Sequence, residues 1–218
     1  MKALILSSSP RRDGNSACLA GMAAEGLEDA GHRATLLQSA DVLAAFLRDC
    51  RSCRNSKGEC SIDDGYRDLF FDHFLPADGL IVATPIYWYG MSAQLKAFFD
   101  RMFCYVAVSH PRSSSTVAAM QGKRLGLVLS SEETFPSVSA AIIHQIQEYS
   151  RYTGSTFVGV VHSYGNVRGE VSRDPSDPIH AAKQFGRSFF DAHATDYRID
   201  TARPAAVWGD RQLGRCHG

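Results

Sequence analysis

The chain lacks most of what would mark a membrane, secreted or nucleic-acid-binding protein. No apolar run among its 218 residues approaches the roughly 20 needed to cross a bilayer. The first apolar stretch breaks into serines after Leu6, too soon for a secretory leader. These absences predict a cytoplasmic protein with no membrane contact. Net charge is missing too: 23 Lys plus Arg balance 23 Asp plus Glu. That balance removes the broad basic field of a nucleic-acid binder and the strong acidic surface by which an electron carrier steers its partners. Repeats and low-complexity tracts are absent, and the eight histidines show no paired ligand spacing, so none is read as a metal ligand or triad member. The six cysteines, in a chain read as cytoplasmic, are free thiols or ligands before they are a disulfide framework.

What the chain has is apolar substance, 44% of its residues, enough for a sizeable core. Short apolar runs alternate with helical patterns as far as residue 163. Lys2–Ser7, Arg33–Leu37, Gly79–Ala83, Arg124–Leu129 and Thr156–His162 read as strands. Ser16–Ala30, Tyr66–Leu75, Ser92–Phe103, Ser137–Tyr152 and Pro178–Ala194 read as helices, with a helical turn over Val42–Arg48. Strands alternating with helices imply a right-handed, doubly wound parallel α/β sheet. Residues 1–163 would form this core. Residues 164–218 would add a loop, a helix and a polar tail from Thr201, packed on the core or on a neighbouring subunit.

Ligands of such sheets sit beyond the carboxyl ends of the strands, which singles out segments 7–16, 84–91 and 130–136. The first runs Ser7-Ser8-Ser9-Pro10-Arg11-Arg12-Asp13-Gly14-Asn15-Ser16. Hydroxyls, an amide and a guanidinium gather there before a helix start with free backbone N–H groups, a natural anion cradle. A capped helix with Asn15 or Ser16 as N-cap accounts for one or two of these residues but not for all five polar groups. The second, Thr84-Pro85-Ile86-Tyr87-Trp88-Tyr89-Gly90, sets three aromatics in a connection that would ordinarily face water. A planar, mostly apolar ligand explains them, and so does packing on the core or on a second subunit.

These two segments carry a resemblance. The chain resembles the flavodoxin-like NAD(P)H-dependent FMN reductase family, which is related to the iron–sulfur flavoproteins. The family's Gly-Ser-Pro-Arg, two variable residues, Gly-Asn and Ser or Thr stand here as Ser8-Ser9-Pro10-Arg11, Arg12-Asp13, Gly14-Asn15-Ser16, with Ser8 replacing the glycine. Its Thr-Pro-Ile-Tyr-Trp signature stands as Thr84–Trp88, followed by Lys96 and Asp100-Arg101. The resemblance implies a five-stranded sheet of order 2-1-3-4-5 with helices on both faces. It implies that Ser9, Arg11, Asn15 and Ser16 hold the phosphate of FMN, and that Pro85, Ile86, Tyr87, Trp88, Tyr89 and Gly90 line the ribityl chain and ring. The third segment, including Ser130 and Ser131, would approach the pyrimidine edge. Glu132 and Glu133 read equally as the acidic first turn of the next helix. The implied activity is FMN-dependent oxidoreduction: hydride passes from NAD(P)H, as co-substrate, to flavin and on to a small acceptor (a quinone, free flavin, azo or nitro compound, or metal ion). No side chain is required as a catalytic acid, base or nucleophile. A flavodoxin-like electron carrier, an iron–sulfur flavoprotein and a non-enzymatic flavin-sensing module are the alternatives. A homodimer or homotetramer is the expected assembly.

Two features stand beside this reading. Lys96 and Asp100 are spaced as an exposed helical pair, while Asp100-Arg101 could instead serve a subunit contact. Cys50, Cys53 and Cys60 precede Asp63-Asp64 much as the four cysteines of iron–sulfur flavoproteins do, but Ser56 stands where the third of those four is expected. Three thiolates need a further ligand, such as His73, to complete a tetrahedral site. The cysteines are therefore read as buried or redox-reactive thiols and not as a metal site. Cys18 and Cys104 read as small buried apolar residues.

Overall fold

The computed structural model describes residues 1–48, 54–56 and 58–192. The chain begins with β1 (Lys2–Ser7), α1 (Asn15–Asp29), β2 (Arg33–Gln38) and the short α2 (Ser39–Val42). After the cysteine-bearing loop, α3 (Tyr66–Asp68) widens into a π-helical stretch, Leu69–Phe74. Then come β3 (Gly79–Tyr87), β4 (Gly90–Met91), α4 (Ala93–Arg101), α5 (Phe103–Val106) and α6 (Ser113–Met120). The chain continues with β5 (Arg124–Ser131), a 3₁₀ turn at Pro136–Ser139, α7 (Ala140–Thr153) and β6 (Thr156–Tyr164). A second 3₁₀ turn, Glu170–Arg173, precedes α8 (Pro178–Ser188).

The main sheet is parallel in the order β2-β1-β3-β5-β6, the expected five-stranded order with helices on both sides. One addition was not foreseen. The third strand was expected to end at Ala83, yet β3 runs on to Tyr87 and folds back antiparallel onto β4, pairing Ile86 with Met91 and Tyr87 with Gly90. The proline forfeits one backbone donor, and the hairpin restores regular pairing beyond it. Helix α6 was also missed. The expected helical turn at Val42–Arg48 is displaced to α2, whose cap at Leu43 is extended.

Strand periodicity sorts the core into two unlike halves. Leu4, Leu6, Leu80, Val82, Leu125, Leu127 and Leu129 face a layer of large rings, including Tyr66, Phe70, Phe74, Phe98 and Tyr105. Tyr66 and Phe70 each stack on Tyr105, at 6.1 and 5.2 Å between centroids. On the opposite face Ala3, Ile5, Ile81, Ala83 and Val128 meet the small residues of α1 and α8. There the two helices touch backbone to backbone. A Cβ at Gly26 would fall 1.9 Å from the Lys183 carbonyl oxygen, and one at Gly186 would fall 2.1 Å from that of Ala23. Cys18 corrects the expectation of burial: it points outward on α1, on the exposed side shared with Glu25 and Asp29. Cys104 is buried as expected.

Candidate functional site

Parallel pairing brings the three singled-out segments to one sheet edge. Ser7 pairs with Ala83, and Pro85 pairs with Ser130. The loops that follow therefore leave adjacent strands side by side, at the carboxyl edge where such sheets bind ligands. An open hollow lined in part by His32, Asp78, Lys123 and Arg124 lies instead at the amino edge.

The first loop is tied down by hydroxyls. Ser8 donates from both its backbone N–H and its Oγ to the Ala83 carbonyl, at 2.8 and 2.7 Å. Ser92 Oγ donates to the Ser8 carbonyl at 2.9 Å and accepts from Leu95 N at 3.3 Å, capping α4. The Ser92 N–H in turn donates to Thr84 Oγ1 at 3.0 Å, and Thr84 Oγ1 donates to the Pro85 carbonyl. Ser8, Thr84 and Ser92 are all fully buried, so this network joins the first loop, β3 and α4 where water cannot compete.

Within the loop, buried Ser9 accepts from the Arg11 N–H at 3.1 Å, and Gly14 N donates to the Arg11 carbonyl at 3.1 Å. A Cβ at Gly14 would stand 2.8 Å from Ser9 Oγ and 3.2 Å from the Arg11 carbonyl oxygen, so glycine leaves this turn uncrowded. Ser16 is buried in the first turn of α1, and the buried Ser7 hydroxyl has no partner among the described residues. Charge is distributed unevenly. Arg12 pairs with Asp41 and Arg168 with Asp13, whereas Arg11 has no carboxylate partner among the described residues. The loop thus presents one uncompensated guanidinium above a helix start.

Asn15 opens α1, and its side chain is engaged by a distant turn. Its Nδ2 donates to the carbonyls of Gly165 and Val167 at 3.1 and 3.2 Å, and its Oδ1 accepts from Val171 N at 3.4 Å.

The second segment is a hairpin. Pro85, Ile86 and Gly90 are half-buried, while Tyr87, Trp88 and Tyr89 are exposed, Trp88 by 97%. The two-residue turn places Trp88 at φ 49° and Tyr89 at φ 61°, the left-handed pair that Asn-Gly would fill without strain. For bulky L residues this conformation costs about 1–3 kcal/mol each, and such strain gathers at functional sites. The Tyr89 ring lies 6.2 Å from that of Phe135, so the hairpin faces the third segment.

In that third segment Ser130 and Ser131 are buried at the end of β5. Ser131 Oγ donates to the Glu133 carbonyl and sits 2.8 Å from His162 Nε2. Its one proton is thereby used, which makes His162 the donor in their contact. Burial lowers the His162 pKa, although Asp174 opposes this. Glu132 and Glu133 are exposed and precede the 3₁₀ turn, so they are not the acidic first turn of a helix.

Two further expectations are resolved below the hairpin. Lys96 and Asp100 form the exposed i, i+4 pair. Arg101 is no exposed subunit contact: it is buried in a two-pronged pair with Asp64, at 2.5 and 2.7 Å. It also donates to the Ala45 carbonyl and lies 4.3 Å from the Tyr66 ring centre. Burial alone would raise the Asp64 pKa, but Arg101 and the N–H groups of Ala44 and Tyr66 hold it below its ordinary value. Partly buried Cys60 rests against the Cys104 thiol, whose pKa burial pushes up to about 11. His73 is exposed on the π-helical stretch. Cys50, Cys53, Cys216 and the tail from Thr201 lie outside the described residues.

A family model described as the flavodoxin-like fold matches residues 1–185. The chain belongs to this flavodoxin-like family. It is 29% identical over 188 residues to YwqN of Bacillus subtilis, covering 86% of this chain and 98% of that protein, which is named as an NAD(P)H-dependent FMN-containing oxidoreductase. It is 26% identical over 201 residues to an iron–sulfur flavoprotein of Archaeoglobus fulgidus, covering 92% of this chain and 84% of the relative. Among solved structures, an NAD(P)H:quinone oxidoreductase from Methanothermobacter marburgensis superposes with a TM-score of 0.65 at 19% identity, covering 88% of this chain and 98% of that one; this likeness speaks to the fold.

Several residues that shape this flavodoxin-like edge escaped the sequence reading. Ser92 was placed inside a helix, although a serine ahead of the amphipathic run from Leu95 is an N-cap signal. The Asp64–Arg101 pair spans 37 positions and has no local signature. The turn that engages Asn15 was read only as a polar loop.

Proposed function

We propose that this chain is an FMN-dependent oxidoreductase that draws on NAD(P)H and serves a small acceptor. The observation that carries this reading is the unpaired Arg11 above the start of α1, one strand away from a strained aromatic hairpin. The donor set fits a phosphate ester of about two negative charges: the Ser9 and Ser16 hydroxyls, the Arg11 fork, and backbone N–H groups around Gly14, where a Cβ would close the cradle. The hairpin residues Pro85–Gly90, facing Phe135, fit a flat ring. Ser130 and Ser131 at the end of β5 sit beside Pro85 to meet its polar edge.

Bound FMN would supply the hydride chemistry; the chain holds, orients and shields. Arg11 and the helix start offset the dianion. The network of Ser8, Thr84 and Ser92 fixes the distance between the phosphate loop and the hairpin. Tyr87 and Tyr89 exclude water from one side of the cleft. The reading includes a cytoplasmic homodimer or homotetramer in which exposed Trp88 is covered by a second copy. Among the described residues no helix is long and apolar enough to cross a membrane.

Titration of the purified chain with FMN, followed by anaerobic addition of NADH or NADPH, tests the proposal. We expect tight FMN binding, loss of oxidised flavin colour on adding a nicotinamide, and an affinity weakened by about 1.5–3 kcal/mol in Arg11→Ala. Unchanged affinity in that variant rejects the phosphate assignment, and colour that survives both nicotinamides rejects the reductase.

A further inference from the structure

We propose that the turn at residues 165–171 is a wall of the phosphate site, and that Asn15 acts through it as a positioning residue and not as a phosphate ligand. The proposal rests on the FMN reading and goes beyond it by bringing in a segment 150 residues away in sequence.

Donor bookkeeping is decisive for Asn15. A side-chain amide has two N–H donors, and here both are used, on the carbonyls of Gly165 and Val167. Its oxygen accepts from Val171 N. Only the backbone N–H of Asn15 is left to face an anion. The buried amide therefore clamps the far turn to the first turn of α1.

The far turn is built to be clamped. Glu170 Oε2 accepts from the N–H groups of Asn166 and Val167 at 2.6 and 2.8 Å, closing the turn from within. Gly165 has φ 155°, and a Cβ there would lie 2.8 Å from Glu170 Cβ and 3.1 Å from Asn15 Nδ2. The same turn reaches two of the cofactor segments. Gly165 N donates to the Ser131 carbonyl at 2.8 Å, and Arg168 Nε lies 3.2 Å from Asp13 Oδ1. Asp13 is the only acidic residue of the phosphate loop, and its charge opposes an incoming dianion. Arg168 offsets that charge.

Glu170 provides the discriminating variant, because its carboxylate contacts the turn and not the phosphate loop. Affinities of FMN and of riboflavin, which lacks the phosphate, are measured for the wild type, Asn15→Ala, Glu170→Ala and the double variant. We expect both single variants to weaken FMN about tenfold, the scale of a lost cap, with riboflavin unchanged and the double variant no worse than either. Wild-type FMN affinity in Glu170→Ala alongside loss in Asn15→Ala would make Asn15 a direct ligand and overturn the proposal. Equal loss of FMN and riboflavin would mean a general defect and overturn it too. A wild-type chain that binds riboflavin but gains nothing from the phosphate removes the FMN reading and this inference together. Arg168→Ala, at an exposed pair that the fold does not need, should weaken FMN about threefold, and Asp13→Asn should restore it. Failure of that rescue overturns the charge argument.

Discussion

The serine-rich loop after β1 and the aromatic hairpin that ends β3 lie at the same sheet edge, and they are built by opposite means. The loop buries its serines, bonds the Ser8 and Ser9 hydroxyls to backbone and places glycine where space is tight. The hairpin projects large rings into solvent and holds two of them in a left-handed backbone. A phosphate is small, always charged and identical in every nucleotide, so a pre-organised cradle suits it. A site that must admit successive planar partners gains from a wall that can yield. On the proposed FMN reading, exposed Trp88 and Tyr89 would form the yielding side and the buried serines the fixed one.

Variants can break or sharpen that contrast. The largest effect is expected beneath the hairpin, where α4 ends in the Asp64–Arg101 pair. Asp64→Ala leaves a guanidinium buried without its carboxylate and should destabilise the fold by about 3–5 kcal/mol in a denaturant titration. The same pair predicts a pH dependence. Because the Asp64 pKa is lowered from its ordinary 3.8, its stabilisation is whole above that value and is lost as the pH falls through the folded one. Acid unfolding of the wild type should therefore be steeper than that of an Asp64→Asn chain.

Ser92→Ala comes next, since it removes a helix cap and leaves the Ser8 carbonyl short of a donor. It should cost about 1–3 kcal/mol and loosen both sides of the site, read as faster hydrogen exchange at residues 8–14 and 85–91. The smallest effect has the opposite sign. Replacing Trp88-Tyr89 by Asn-Gly relieves the left-handed strain and should stabilise the chain by about 1–2 kcal/mol, while turnover with bulky acceptors falls. A double variant with unchanged stability would show that the hairpin carries no strain to release.

The sequence disclosed the sheet and the segments that meet at its carboxyl edge because those are local signals (apolar strands, a serine-rich turn before a helix, aromatics in an exposed connection), while the strand order came from the family resemblance. It misled wherever a residue's partner was distant. Around Asn15, nothing nearby showed that Gly165, Val167 and Val171 would engage its side chain. Arg101 looked like a surface residue because Asp64 belongs to another loop. The third strand was ended at Ala83 because its extension to Tyr87 depends on Gly90 and Met91 folding back. Cys18 was misjudged by residue type, although its place on α1, seven residues before exposed Glu25, was there to be read.

The glycine contact between α1 and α8 has an effect that reaches as far as the carboxyl edge of the sheet. With Gly26 and Gly186 pressed against opposing carbonyl oxygens, even a methyl group at either position would wedge the helices apart. Because α1 begins at the serine-rich loop and the turn at residues 165–171 precedes α8, such a wedge near the far end of α1 would tilt that loop against the turn. Two absent side chains, remote from the sheet edge, thus set the alignment of the segments that meet there.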